Sequence, residues 1–217
     1  DSYMSAKGFD RIAFIYDWLA RLVYGDGILH AATLGMTEVR EGDKVLILGG
    51  GSGKLLSYFR PKHFPGEIVY VEPSREMMAK AQKVWNSLEG SAQYSIQWVL
   101  DTDDFVQGKE EYDVLITPFV LDLFPEEKLA EVFSRLDHAL KAGGTWLYAD
   151  FFLKEDAYLL LRRMLVWLMY TFFRMICGIE NRKLPQTGKL FKEKGFLQIQ
   201  RKEFSSAMIE GIIYQKS

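Results

Sequence analysis

The chain has 217 residues, of which 48% are hydrophobic, which is enough for one globular α/β domain and excludes a disordered chain. Its formal net charge of −2 gives no reason to expect nucleic-acid binding, because that function needs a clustered surplus of Lys and Arg. The single cysteine, Cys177, excludes an internal disulfide and favours a reducing compartment, so we expect a cytoplasmic protein.

Two helices are predicted before the first strand. Apolar residues recur on one helical face over residues 9–23, and a second, short helix is expected over residues 28–39. Tyr16 lies on the apolar face of the first helix, where it is either a core residue or a tyrosine that covers a bound ligand. We expect residues 1–40 to form a helical cap.

Strand and helix patterns alternate after this cap. The predicted strands cover residues 44–48, 67–71, 94–100, 113–117 and 145–149. Helices are predicted over residues 54–59 and 74–87, and a third begins at Pro125 and is expected to end at Gly143 and Gly144. This alternation is typical of a mostly parallel sheet with helices on both faces, so residues 41–150 are predicted to form the ligand-binding core.

The last part of the chain contains a long apolar segment and two further strands. Arginines interrupt the segment 157–179, so it is too charged to span a membrane and is predicted to be an amphipathic helix. Such a helix serves as a core helix, as a lid over an apolar substrate, or as a contact with a membrane surface. We assign residues 151–194 to a helical lid and residues 195–217 to a terminal strand pair.

The two terminal strands are predicted near residues 196–203 and 208–215. The connection between them is too short for a crossover helix, so they pair antiparallel or lie apart. The predicted fold class is therefore α/β, with a doubly wound, mostly parallel sheet of seven strands, an antiparallel terminal strand and helical covers.

The turn after the first predicted strand is rich in glycine and contains Gly49, Gly51 and Gly53. A phosphate loop is excluded because Leu55, rather than Ser or Thr, follows Lys54. A dinucleotide fingerprint is disfavoured because Lys54 replaces its last glycine. What remains is a Gly-x-Gly-x-Gly turn, in which Gly49 and Gly51 leave space where a side chain would strike a ligand.

Polar residues follow the next three predicted strands. Glu72 can accept both hydroxyls of a ribose, or it can simply cap the helix that follows. Asp101 can accept a hydrogen bond from an exocyclic amine of a ligand ring, with the Thr102 N–H beside that ring. Alternatively, Asp101 simply starts a turn. Thr117 ends the fourth strand and is expected to face the crevice in which such sheets bind ligands.

Several motifs along nearly the whole chain resemble those of the class I S-adenosylmethionine-dependent methyltransferases. In chain order they are residues 45–53, Glu72, Asp101, residues 112–116 and residues 140–144. The segment 9–17 is similar to the ubiquinone and menaquinone C-methyltransferase branch of that family. Ile47 is a departure, because the family often has an acid at that position.

The resemblance implies a Rossmann-like fold, S-adenosylmethionine as the cofactor, and methyl transfer. The first helix and the helix over 157–179 are the natural covers of the site, and because both are apolar and aromatic we expect a small, apolar or aromatic acceptor. The residues for which the resemblance implies cofactor binding are Tyr16, Gly49, Gly51, Gly53, Glu72, Pro73, Asp101, Thr102 and Thr117. No catalytic residue is assigned, although Asp17, Asp122 and Asp150 are candidate bases if the acceptor must lose a proton. No metal site is expected, because no set of Cys, His and acidic residues has ligand spacing.

Two other functions stay open. An aminopropyl transferase of the polyamine type shares the glycine-rich first motif, but it should have an acid early in the loop after the fourth strand. Here that loop begins with Thr117, Pro118 and Phe119. A non-catalytic protein that binds an adenosyl ligand is the other alternative, and Ile47 favours it. The oligomeric state is left open.

Overall fold

A seven-stranded sheet runs through the protein in the computed structural model, which describes residues 26–59, 66–152, 186–205 and 208–217. Its strands, numbered along the chain, are β1 (Lys44–Leu48), β2 (Glu67–Val71), β3 (Ser95–Val99), β4 (Tyr112–Pro118), β5 (Leu140–Phe151), β6 (Leu197–Phe204) and β7 (Ile209–Gln215). They lie in the order β3-β2-β1-β4-β5-β7-β6. The first five are mutually parallel, and β7 is antiparallel to both of its neighbours. The predicted fold class is confirmed.

Helices lie on both faces of this sheet. The α-helices of the described residues are α1 (Gly27–Ala32), α2 (Arg75–Ser87), α3 (Glu126–Ala139) and α4 (Thr187–Glu193). Short 3₁₀ helices cover Met36–Glu38, Lys54–Tyr58, Ser91–Gln93, Asp103–Phe105 and Leu121–Leu123. Ser74 begins α2 as the sequence predicts, because its side-chain oxygen accepts a hydrogen bond from the Met77 N–H at 3.2 Å.

Side chains alternate between the two faces of each strand, and this alternation produces two apolar clusters. On one face, Trp146 of β5 packs against Phe133 of α3 and Phe191 of α4, with ring centroids 4.7–4.9 Å apart. On the other face, Tyr70 of β2 lies in the same cluster as Trp85 of α2. Because helices cover both faces, the central strands read as continuous apolar runs rather than alternating ones.

The helix predicted over residues 28–39 is wrong in its extent. Helix α1 ends at Ala32, and the chain turns at Gly35, whose φ of +85° is a left-handed conformation. A Cβ atom at Gly35 would lie 2.6 Å from the Leu147 side chain, so the turn presses the backbone against the sheet. The helix predicted at 54–59 is present as the 3₁₀ helix Lys54–Tyr58, a form that proteins use in short pieces.

The expectation that Gly143 and Gly144 end the third predicted helix is also wrong. Helix α3 ends at Ala139, and β5 begins directly at Leu140, which pairs with Tyr112 of β4. Gly143, with a φ of +72°, therefore lies inside the strand, where β5 has an irregular start. The start of α3 at Pro125 is as predicted, but its end is set by strand pairing rather than by the glycines.

Candidate active site

The glycine turn joins β1 to the first 3₁₀ helix of the core, at the carboxyl end of the sheet. Gly49, Gly51 and Gly53 have φ values of +72°, +60° and +77°, a region that favours glycine. A Cβ atom at Gly51 would meet no atom within 4 Å, so this residue borders open space. A Cβ atom at Gly49 would lie 2.9 Å from the Val120 side chain, and one at Gly53 would lie 2.6 Å from the Ala81 backbone.

The three glycines therefore have different surroundings. Gly51 is placed as a ligand-contacting glycine should be, whereas the space beside Gly49 is filled by the protein itself. The expectation that Gly49 leaves room for a ligand is wrong in that respect. Gly53 is required by close packing of the turn against α2, and its contact with a cofactor stays a prediction.

Glu72 follows β2, and its buried side chain reaches back to the glycine turn. Its two carboxylate oxygens accept the N–H groups of Gly51 and Ser74, each at 3.0 Å. Tyr70 holds the other side of the same turn, because its hydroxyl donates to the Gly51 carbonyl oxygen at 2.9 Å. A carboxylate has roughly four acceptor sites, so Glu72 can fix the turn and also accept hydroxyl groups from a ligand.

The alternative role of Glu72 as a helix cap is only partly correct. The capping residue of α2 is Ser74, and Glu72 accepts the N–H of that residue rather than one from the helix. Pro73, between them, is half-buried and has no N–H to satisfy. Burial raises the pKa of the Tyr70 hydroxyl well above its ordinary value, and the nearby Glu72 charge raises it further, so Tyr70 stays a proton donor.

Asp101 and Thr102 form a local turn after β3. Asp101 is exposed, and its carboxylate accepts the Thr102 N–H at 2.8 Å. The N–H that was expected to lie free beside an adenine ring is therefore bonded within the protein. The turn interpretation of Asp101 describes this geometry, and its contact with an amine stays a prediction.

Thr117 does not face the crevice, and the expectation that it does is wrong. Its side chain is buried, and its hydroxyl oxygen accepts the indole N–H of Trp146 at 2.9 Å. Because side chains alternate along β4, Thr117 lies on the same face as Leu115, in the core beneath α3. A ligand contact at Thr117 would have to come from the backbone.

Two of the three candidate bases lie together. Asp122 and Asp150 are both buried, and the Asp150 carboxylate accepts the N–H groups of Asp122 at 3.1 Å and Phe151 at 2.9 Å. Burial raises the pKa of Asp150 well above its ordinary value, and the Asp122 carboxyl raises it further through its charge and a hydrogen bond. The third candidate, Asp17, lies outside the described residues, as does Tyr16.

An aromatic pair that was not predicted lies at the ends of β4 and β5. The rings of Phe119 and Phe151 are 5.0 Å apart, and Phe119 has a left-handed φ of +54°. Its N–H donates to the Ala149 carbonyl oxygen at 2.8 Å, which holds this strained conformation. The Pro118-Phe119 step at the end of an apolar strand was the available signal, because Pro cannot continue a central strand.

Several expectations concern segments outside the described residues. They include the first helix of the cap, the helix over 157–179 and most of the lid assigned to 151–194. In the described ranges, no helix is long and apolar enough to cross a membrane. Across the same ranges, no group of three His, Cys, Asp or Glu side chains is arranged to hold a metal ion.

Comparison with known proteins supports a class of enzyme. Residues 46–146 match a family model described as a methyltransferase domain. The matched segment contains the glycine turn, Glu72 and Asp101, and the match confirms the prediction of a methyltransferase. No curated protein matches the chain.

Solved structures resemble the fold of this methyltransferase. The cyclopropane synthase MmaA2 from Mycobacterium tuberculosis is 11% identical with a TM-score of 0.66, and the match covers 87% of this chain and 84% of that one. The protein YcgJ from Bacillus subtilis is 14% identical with a TM-score of 0.64, with 87% and 98% covered. A SAM-dependent methyltransferase from Aquifex aeolicus is 14% identical with a TM-score of 0.61, with 94% and 98% covered. At these identities the similarity concerns the fold.

Proposed function

We propose that the protein transfers the methyl group of S-adenosylmethionine to a small, apolar or aromatic acceptor. The observation that carries the proposal is the contact between Glu72 and the Gly51 N–H at 3.0 Å. It places a buried carboxylate directly beside open backbone at the carboxyl end of a parallel sheet, where such folds bind ligands. The match to a methyltransferase domain supports the same assignment.

In this proposal, Glu72 accepts the ribose hydroxyls of the donor, and Gly51 allows the ligand to approach the backbone. Asp101 follows β3 at the same carboxyl end of the sheet, and its carboxylate accepts a hydrogen bond from the adenine amine. The sulfonium group of the donor supplies an electrophilic methyl carbon for direct displacement. The residues of this chain then need to align the two reactants and exclude water, and alignment alone can contribute about 7–11 kcal/mol.

The acceptor is proposed to be apolar because of what lies at the rim of the crevice. Phe119 and Phe151 belong to an apolar cluster that also contains Ala31 and Ile209. The lid predicted at 151–194 adds further aromatic residues in sequence. Since the segment 9–17 resembles the quinone-forming branch, aromatic quinol precursors are the first acceptors to test.

Three further proposals rest on sequence alone. The helix over 157–179 covers the acceptor or contacts a membrane surface, because it is apolar with an arginine-containing face. The single cysteine favours the cytoplasm, a reducing compartment. The net charge of −2 favours a small-molecule acceptor over a nucleic acid.

An aminopropyl transferase is less well supported. That reaction must deprotonate an amine with an acid close to the donor. The first acid after β4 is Asp122, which is only 2% exposed and hydrogen-bonds through its backbone to Asp150. It is therefore engaged inside the protein rather than presented to a substrate.

The test is a methylation screen with donor labelled in its methyl group. Quinol precursors, aromatic acids and fatty acids are the candidate acceptors, with RNA and protein as competing substrates. We expect label in a small apolar acceptor and a large loss of turnover in Glu72→Gln. Label that enters only RNA or protein would refute the acceptor class. Tight binding of S-adenosylhomocysteine without turnover on any acceptor would favour the non-catalytic alternative.

A further inference from the structure

Two segments of the crevice rim, the end of β5 and the loop after β4, meet at the buried acids Asp122 and Asp150. Asp150 lies near the end of β5, and Asp122 lies in the 3₁₀ helix Leu121–Leu123 after β4. Asp122 is 2% exposed and Asp150 is 1% exposed. The Asp150 carboxylate ties the Asp122 N–H to the Phe151 N–H, so one side chain joins the loop after β4 to the exit of β5.

The loop that Asp150 holds also shapes the glycine turn. Val120, two residues before Asp122, fills the space beside Gly49, where a Cβ atom would lie 2.9 Å from its side chain. The preceding residue, Phe119, is bonded through its N–H to Ala149 at 2.8 Å. The loop 119–123 is thus fixed at β5 on one side and pressed against the donor turn on the other. A movement at Asp150 would be transmitted to the backbone at Gly49.

Other polar groups face this pair from the surrounding elements. Tyr148 lies two residues before Asp150 on β5, and its hydroxyl hydrogen-bonds with Thr187 at the start of α4. Glu210 lies opposite Asp150 in the register of β7. Arg201 of β6 is paired with Glu210 at 2.8 Å.

The charge of the pair follows from this environment. Two carboxylates that are buried side by side cannot both ionise without a large cost. Burial raises the pKa of Asp150 well above its ordinary value, the charge and hydrogen bond of Asp122 raise it further, and burial also raises the pKa of Glu210. The pair therefore keeps one proton at pH values at which two exposed carboxyl groups would both be ionised.

We propose that the buried pair Asp122 and Asp150, carrying one shared proton, is the positioning element that seats the loop 119–123 beside the glycine turn for donor binding. The inference rests on the proposed function, since it concerns the same donor site. Asp150 touches no reacting atom in this proposal. It acts through the N–H of Asp122 and the side chain of Val120.

A proton linkage follows. When the shared proton is lost, two charges face each other in a buried site and the Asp122 turn is repelled from β5. Donor binding must then take up one proton, so the dissociation constant rises by up to about tenfold per pH unit above the pKa of the pair. Asp150→Asn and Asp122→Asn remove the shared proton while keeping the side-chain shape, so both should flatten this rise. The Asp150→Asn amide can accept only one of the two N–H groups, so this variant should also bind more weakly at every pH.

The stability of the fold gives a second readout with a defined sign. A carboxyl group whose pKa is raised on folding contributes its full stability below the ordinary carboxyl pKa, and that contribution is lost as pH rises through the raised value. The wild-type protein should therefore lose stability as the pH rises from the ordinary carboxyl pKa to the raised pKa of Asp150. Asp150→Asn should lose less, because an amide does not titrate.

The experiment is isothermal titration of S-adenosylhomocysteine into the full chain from about pH 6 to about pH 10, in buffers of different ionisation enthalpy, which gives the number of protons taken up. The variants are Asp150→Asn and Asp122→Asn. Asp113→Asn is the control, because Asp113 lies near the amino end of β4, at the opposite end of the parallel strands, where it accepts a hydrogen bond from Lys141 at 2.7 Å. Titration of the ligand amine is common to all four proteins and cancels in their comparison.

We expect proton uptake at high pH in the wild type and in Asp113→Asn, and less uptake in both pair variants. Equal uptake in the wild type and the pair variants would overturn the inference while leaving donor binding intact. Failure of both pair variants to fold would make the pair a purely structural element and would also overturn it. If the wild type bound no S-adenosylhomocysteine at any pH, the proposed function itself would fail, and this inference with it.

Discussion

The charge of Glu72 is the most direct point at which to test the donor site. Glu72→Gln keeps the shape of the side chain but removes the charge and replaces one acceptor oxygen with a donor. In the native protein both oxygens accept backbone N–H groups, from Gly51 and Ser74, each at 3.0 Å. The amide can satisfy only one of these, so the variant loses the charge-assisted contact to the ligand and part of the support of the glycine turn.

The size of the effect follows from the kind of hydrogen bond. Bonds to a charged group contribute about 1.5–3 kcal/mol, compared with roughly 1 kcal/mol between neutral groups. We expect S-adenosylhomocysteine to bind the wild type with a micromolar dissociation constant, about −8 kcal/mol. A loss of about 1.5–3 kcal/mol in Glu72→Gln corresponds to a dissociation constant that is about 10- to 150-fold higher. Glu72→Ala should lose at least as much affinity, and should also be less stable because two N–H groups lose their partner.

Calorimetric titration of S-adenosylhomocysteine measures this difference, with thermal unfolding of each variant measured in parallel. Asp113→Asn is the matched control, because it removes a carboxylate that accepts a backbone N–H, that of Lys44 at 2.9 Å, far from the donor turn. The control should lose stability without losing affinity. Equal affinity of the wild type and Glu72→Gln would refute the ribose contact. An equal loss of affinity in Asp113→Asn would show that the effect is one of stability alone.

Two further outcomes separate packing from ligand binding. Gly53→Ala should lower the free energy of unfolding by about 2–5 kcal/mol in chemical denaturation, because its Cβ would overlap the Ala81 backbone and its φ of +77° adds left-handed strain. Gly51→Ala should cost only the left-handed strain of about 1–2 kcal/mol, but it should weaken donor binding more than Gly53→Ala does. Thr117→Val should lower the free energy of unfolding by about 1–3 kcal/mol, because the Trp146 N–H loses its acceptor. Calorimetry should find the donor affinity of this variant unchanged. Thr117→Ser keeps the hydroxyl and should restore the stability.

The strands could be predicted because their positions depend on local pattern. Four of the five core strands contain a short apolar run, β3 alternates polar and apolar residues, and all five lie where the sequence places them within a few residues. The exception in length, β5, begins at Leu140 because it pairs with Tyr112 of β4. Pairing between strands is not visible in a single run of residues, so the end of α3 was predicted at Gly143 and Gly144 rather than at Ala139.

The directions of side chains in the site could not be predicted in the same way. Thr117 was expected to face the ligand because it ends a strand. The side of the sheet on which its side chain lies, however, depends on how the neighbouring residues of the strand pack. The contact between Asp122 and Asp150 joins residues 28 positions apart. No local pattern encodes it, since it depends on how tightly the loop after β4 folds back onto β5.

The glycine motif illustrates why a match to a family model is stronger evidence for a fold than for a ligand. Gly49 and Gly53 are explained by contacts with Val120 and Ala81, so a protein that had lost its ligand would still need both to fold. Gly51 borders open space, and Glu72 reaches it across the crevice edge. A protein that kept only the fold would need acceptors at this position for the N–H groups of Gly51 and Ser74, but it would not need the charge. The charge of Glu72 is therefore where folding and donor binding make different demands, and an affinity that depends on that charge would distinguish a protein that binds the donor from one that kept only the fold.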